Sequence, residues 1–168
     1  MSAVMNLIAI RHGETEWNVI GREMGQLDSP LTKRGLDQAE AIARRLKDET
    51  FEVLYCSDLG RAIQTADIIA AATGVEAKTH VGLRGRHMGI FQGLTKQEIK
   101  EITEKFPVEY SDYRRIGHTY QIPDGESGQQ RLERSVRVLS EIGQTHSDQT
   151  VVVITHGGYL MGFFEHVL

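Results

Sequence analysis

This chain is short of several things, and each shortage removes a class of protein. A single cysteine, Cys56, in 168 residues leaves no internal disulfide to form and fits a reducing compartment. Basic residues are outnumbered, 19 Lys and Arg against 23 Asp and Glu, for a formal net charge of -4. No basic stripe interrupts that balance, so a nucleic-acid partner is not expected. No apolar run approaches the length of a membrane span, and no membrane partner is expected. Met1 to Ile10 is too short and lacks the basic leader of a secretory signal, so a cytoplasmic location is expected. No HExxH or paired-cysteine spacing offers a metal site, and no GxGxxG offers a dinucleotide site. Internal repeats, low-complexity stretches and linkers are absent as well. What remains is ordinary globular composition, 40% hydrophobic and 25% charged, in a chain long enough to bury roughly 70% of its unfolded surface.

Four segments read as strands: Val4 to Ile10, Phe51 to Tyr55, the shorter edge-like Val75 to Thr79, and Thr150 to Thr155. Near-continuous apolar runs of this kind belong to strands covered on both faces. Helical stripes alternate with them. One is Leu36, Ala39, Ile42, Ala43 and Leu46, capped by Thr32. A second is Ala62, Ile63, Ala66, Ile69 and Ala70, capped by Ser57. Thr95 with Glu98 forms a capping box before Ile99, Ile102 and Phe106. Ser127 with Gln130 forms another before Leu132, Val136, Leu139 and Ile142. A last helix runs from Gly157. The alternation predicts an α/β three-layer sandwich, a mainly parallel central sheet with helices on both faces. It predicts a single domain over 1–168, with a helical insert at about 82–128 that shapes a substrate pocket.

Ligands bind outside the carboxyl ends of strands in open α/β sheets. The first strand ends in Arg11-His12-Gly13. The second is followed by Cys56, Ser57 and, one turn into a helix, Arg61. The last ends in His156-Gly157-Gly158. Three strand ends thus deliver two arginines and two histidines, a local positive charge in an acidic chain. Guanidinium forks match phosphate oxygens, and a helix opening at Gly157 points N–H groups at an anion. A neutral histidine here can attack phosphorus, with arginines stabilising the transferring group. Plainer readings stand beside this one. Arg61 suits a helix-surface salt bridge, Asn18 a turn or cap, and Lys96, Arg114 and Arg115 solvated charge. His80, His87, His118, His146 and His166 suit surface or loop positions, and Cys56 suits packing.

The segment Arg11-His12-Gly13-Glu14-Thr15-Glu16-Trp17-Asn18 resembles the opening motif of the histidine phosphatase superfamily, in its phosphoglycerate-mutase-like branch. Asp28-Ser29-Pro30-Leu31-Thr32 with Gly35, Ser57 to Ala66, and Thr155-His156-Gly157-Gly158 are similar to the blocks that follow, in order and over nearly the whole chain. The resemblance implies that His12 accepts the phosphoryl group. It also implies that Arg11, Arg61 and His156 complete the pocket, that Asn18 binds a phosphate oxygen, and that no metal or other cofactor is required. One position departs. The family's Leu-x-Glu-x-x-x-Gly segment reads Leu83-Arg84-Gly85-Arg86-His87-Met88-Gly89, with Gly85 where a general-acid glutamate is expected. Glu14, Asp58, Glu126, His87 or water remain as substitutes. Met24 also stands where relatives often carry a polar residue. The chain stops soon after the His156 motif, which suggests a truncated carboxyl end.

The expected function is a phosphomonoester hydrolase working through a phosphohistidine on a small phosphorylated metabolite. Mutase-type transfer is the runner-up: Lys96, Arg114 and Arg115 favour it, and Met88 and the short stretch between Arg115 and Ser127 do not. A phosphate-binding or regulatory protein of impaired catalysis is the alternative that Gly85 raises. The oligomeric state is not legible.

Overall fold

A computed structural model of the chain describes residues 4–104 and 119–167. Four strands form one sheet: β1 (Asn6–Arg11), β2 (Val53–Cys56), β3 (Ala77–Thr79) and β4 (Thr150–Thr155). They lie in the order β1-β4-β2-β3, and every pairing is parallel. β4 is central because its Val-Val-Val-Ile run can be covered on both faces; Val151 to Thr155 are all buried. Alternation along the strands then sorts the layers. Val152, Ile154, Ile10, Leu54 and Cys56 face Ala43 and Leu46 of α2 (Lys33–Leu46) and Ala62, Ala66 and Ile69 of α3 (Gly60–Thr73). Val151, Val153 and Val53 face Val138, Leu139 and Ile142 of α5 (Gly128–Thr145) and Tyr159 of α6 (Gly157–Val167). The result is the expected three-layer α/β architecture. Each such core side chain matters: truncating the fully buried Leu54 to alanine costs about 2–5 kcal/mol.

Several local expectations shift. β1 begins at Asn6, and Val4 is exposed. β2 runs Val53 to Cys56 rather than Phe51 to Tyr55, and the third strand shortens to Ala77–Thr79 at the sheet edge. Leu36 stands 40% exposed, because the buried stripe of α2 is Gly35, Ala39, Ala43 and Leu46. On α5 the buried face is Ser135, Val138, Leu139 and Ile142, the i, i+3, i+4, i+7 set, which leaves Val136 half-buried. Ser57 does not cap α3. Its N-cap is Leu59, which has no side-chain cap, and the Asp28 carboxylate takes the Arg61 N–H at 3.2 Å instead. The boxes Thr95/Glu98 and Ser127/Gln130 form as expected.

A short helix α1 (Glu16–Val19) follows β1. Beyond β3 the chain makes two 3-10 turns, Val81–Leu83 and Gly89–Phe91, and then α4 (Lys96–Thr103). Met88, Phe91, Ile99 and Ile122 close a small core of their own there. No strand of the sheet arises from the described part of 82–128. Phe106, Arg114, Arg115 and His118 lie outside the described residues.

Candidate active site

The register sets the carboxyl ends of β1, β4 and β2 level. Arg11 pairs with Thr155, and Cys56 with Ile154. The chain leaves both strands beside β4 along its last carbonyls: His12 N–H donates to Thr155 O (3.0 Å) and Ser57 N–H to Ile154 O (2.9 Å). The side chains that follow the strands therefore open into one cavity of about 730 Å³. Its walls include Arg11, His12, Asn18, Arg61, Lys96, His156 and Gly157.

His12 and His156 face each other with ring centroids 5.1 Å apart and planes 59° apart. Both are buried. Arg61 links them, its Nε donating to His12 Nε2 at 3.3 Å and its Nη2 to His156 Nδ1 at 3.2 Å. The same guanidinium is held from behind by Leu27 O (2.8 Å), Asp28 Oδ1 (3.0 Å) and Gly25 O (3.0 Å). Every donor of a 2% exposed arginine is thereby aimed, which burial of such a group requires. Asp28 is thus both the cap of α3 and the counter-ion of Arg61.

The hydrogen bonds fix the tautomers. His12 Nδ1 lies 2.7 Å from Gly13 O, which can only accept, so Nδ1 carries the proton and Nε2 presents a lone pair. His156 Nδ1 accepts from Arg61, which leaves the proton on Nε2. That Nε2 is buried with no partner among the described residues, a donor held toward the cavity. Burial, with Arg61 and Arg11 nearby, lowers the His12 pKa from 6.5 to about 4, although the Gly13 bond opposes this. Burial first, and then Arg61 and His12, hold His156 well below its ordinary value. Both rings are neutral at neutral pH.

Asn18 is the N3 member of the capping box on α1, its Oδ1 accepting from Thr15 N–H at 3.1 Å. The cap uses Oδ1 and not Nδ2, and the residue lines the cavity. Cap and anion donor are therefore compatible. Gly157 opens α6 where the Arg11 side chain crosses it; a Cβ there would stand 3.4 Å from Arg11 Cδ and Nε. Lys96 reaches the cavity from the start of α4. Cys56 is packed rather than reactive, burial raising its thiol to about 11.

Gly85 reaches the cavity too, against His156. A Cβ on it would stand 3.2 Å from His156 Cγ. The four substitute acids do not line the cavity. Glu14 accepts from Thr32 Oγ1 at 2.9 Å. Asp58 is forked by Arg84 at 2.8 and 2.6 Å, and that pairing holds its carboxyl below the usual range. Glu126 is forked by Arg134 at 2.9 and 2.7 Å. Burial alone would raise the Glu126 carboxyl, but the Arg134 fork and the His87 N–H hold it low. His87 Nδ1 accepts from Gly89 N–H. Among the described residues, no three His, Cys, Asp or Glu side chains converge on a metal position.

Sequence reasoning missed two contributors. One is the carbonyl cradle of Gly25 and Leu27, which has no side-chain signature. The other is Arg131 on α5, which lines the cavity and whose only trace in the sequence is the glycine spacing of the helix it touches.

This geometry has relatives. The chain is 42% identical over 169 residues to a metal-independent phosphoserine phosphatase of Arabidopsis thaliana, covering 99% of this chain and 70% of that one. It is 39% identical over 162 residues to the Arabidopsis thaliana phosphoglycerate mutase-like protein 4, covering 95% and 69%. A mycobacterial glucosyl-3-phosphoglycerate phosphatase, solved with VO3, superposes with a TM-score of 0.78 at 31% identity, covering 99% of this chain and 81% of that one. The sequence model of the histidine phosphatase superfamily (branch 1) matches residues 7–168. The chain belongs to that superfamily and is an enzyme of its phosphatase type.

Proposed function

We propose that this chain hydrolyses a small phosphomonoester through a phosphohistidine formed on His12 Nε2. The observation that carries the reading is the Arg61 guanidinium bonded to both facing histidines while Gly13 O holds the His12 tautomer. A phosphate dianion entering the cavity meets Arg11, Arg61, the His156 Nε2–H and the Asn18 amide. The His12 Nε2 lone pair attacks phosphorus in line as the bond to the leaving oxygen breaks, and that oxygen takes a proton from solvent water. The Arg61 guanidinium, still held by Gly25 O, Leu27 O and Asp28, turns the bonds it makes to the two imidazoles toward phosphate oxygens, which frees the His12 lone pair, and with Arg11 carries the charge of the transferring group. Water then attacks the phosphohistidine and yields inorganic phosphate and free His12. No metal takes part in these steps. The relatives named as phosphatases support hydrolysis over mutase transfer; of the basic residues that would favour a mutase, Lys96 lines the cavity and Arg114 and Arg115 lie outside the described residues. The insert at about 82–128, within a single domain, is the part we assign to substrate selection.

His12→Ala is expected to abolish both p-nitrophenyl phosphate turnover and acid-labile phosphoenzyme, while inorganic vanadate still binds. Full turnover in that variant removes His12 as the nucleophile.

Gly85 favours a second reading. With a glycine beside His156 and none of Glu14, Asp58, Glu126 or His87 at the cavity to protonate a leaving alkoxide, the chain binds phosphate well and turns over alkyl esters slowly, as a phosphate-binding or regulatory protein would. Comparable brisk rates on alkyl and aryl phosphates would dismiss it.

A further inference from the structure

We propose that Arg131 is the receptor for a second anionic group of the substrate, a carboxylate, and so selects phosphomonoesters of small hydroxy or amino acids. The inference rests on the phosphatase reading above and deepens it. Arg131 lines the cavity from α5. Arg134, one turn on, is fully committed to the Glu126 carboxylate and to the carbonyls of Gly82, Arg84 and Gly85. The Arg131 side chain has neither hydrogen bond nor ion pair to any described residue. Its Nε is buried without a partner, and burial lowers the pKa of the group. A half-buried guanidinium whose Nε is out of water and unpaired is costly, so such an arrangement signals a missing anion.

The chain also gives something up to put it there. Gly162 lies inside α6, where glycine costs about 1 kcal/mol relative to alanine. A Cβ at 162 would stand 2.3 Å from Arg131 Nη2 and 2.9 Å from Cζ, and one at Gly158 would stand 3.7 Å from Nη1. Gly158 and Gly162, four residues apart and so on one helical face, form a shelf on which the guanidinium plane lies. Arg11 crosses the same helix at Gly157. The first turns of α6 therefore carry two guanidiniums that bond to no described residue, one beside the phosphate pocket and one farther along the cavity wall. A single fork matches the two oxygens of a carboxylate. A dianion is disfavoured in that place, because Glu165 and Glu23 line the same cavity.

O-phosphoserine and O-phosphoethanolamine differ by that carboxylate alone, and calorimetry measures their affinities without relying on turnover. The wild type is expected to favour O-phosphoserine by about 10- to 100-fold, the value of one charge-assisted fork. Arg131→Met is expected to bring the ratio near one, and Arg131→Lys to recover only part of it. Gly162→Ala, which improves the helix while displacing the guanidinium, is expected to reduce the ratio as well. An unchanged ratio in a folded Arg131→Met or Gly162→Ala protein overturns the proposal. Equal losses for both ligands overturn it too, since they would place Arg131 in the phosphate pocket itself. If both ligands bind with the expected ratio and aryl phosphate is not hydrolysed, the phosphatase reading fails and the carboxylate site stands.

Discussion

Replacing Gly85 with glutamate tests which half of the reaction this cavity lacks. The side chain would project beside His156, where the leaving oxygen departs. A well-placed general acid is worth about 100- to 10,000-fold in rate. The structure sets a discount. The new Cβ would meet His156 Cγ at 3.2 Å, Cβ at 3.4 Å and Cδ2 at 3.6 Å. The ring must yield by a few tenths of an ångström while Arg61 holds its Nδ1 at 3.2 Å. Crowding of that kind costs about 1 kcal/mol or somewhat more. The net gain expected is about 10- to 1,000-fold in kcat on an alkyl phosphate. On p-nitrophenyl phosphate, whose leaving group needs little protonation, the gain is expected to be small. Gly85→Gln and Gly85→Ala carry the steric change without the acid, so steady-state rates of all four proteins on both esters separate the effects. Since only the protonated carboxyl donates, the gained alkyl activity should fall as pH rises. A glutamate variant no faster than the glutamine variant on the alkyl ester would refute the idea that a missing acid limits this chain.

Other expectations follow from the same geometry. Stability should decline as pH falls from about 6.5 to about 4: the unfolded chain protonates His12 near its ordinary value of 6.5, whereas the folded chain resists until about 4. That difference is worth about 3 kcal/mol and adds to the same-signed effect of His156. Chemical denaturation across that range should record the loss, and a flat profile would show that the rings are not buried neutral. Arg61→Lys cannot reach both imidazoles and the Gly25 and Leu27 carbonyls at once. It should lower kcat/KM by about 100-fold or more and lower the melting temperature; a variant at wild-type levels in both would remove Arg61 from the centre of the site.

The architecture was legible because β4 is a continuous β-branched run and the helices carry clean stripes with capping boxes at Thr95 and Ser127. The strand ends followed, since a parallel sheet must deliver Arg11, His12 and His156 to one edge, and the rings indeed stand 5.1 Å apart. What the sequence hid was long-range. The cap of α3 comes from Asp28, 33 residues before Arg61, whereas a local rule points to Ser57. Leu36 and Val136 were misplaced because helical periodicity gives a stripe, and only the sheet's position decides which edge of it is covered. Arg131 was hidden because an arginine on an amphipathic helix ordinarily belongs to the solvent side. Its different situation depends on α6, which is distant in sequence and whose glycines read locally as weak helix formers.

These two kinds of residue divide the work of the cavity. Arg61, Asp28, Gly13 O and the Gly25 and Leu27 carbonyls form a rigid set, in place before any ligand arrives, and rigid donors stabilise developing charge because they need not reorganise. In the mechanism we propose, attack by His12 draws on that set together with Arg11, His156 and Asn18. On the same proposals, departure of the leaving oxygen would depend on whatever stands at position 85, and choice among substrates on Arg131 and the segments bearing Gly85, Met88 and Lys96. Substitutions at Gly85 and Arg131 should therefore change which ester reacts and how fast it leaves, while substitutions in the rigid set should change whether phosphorus is attacked at all.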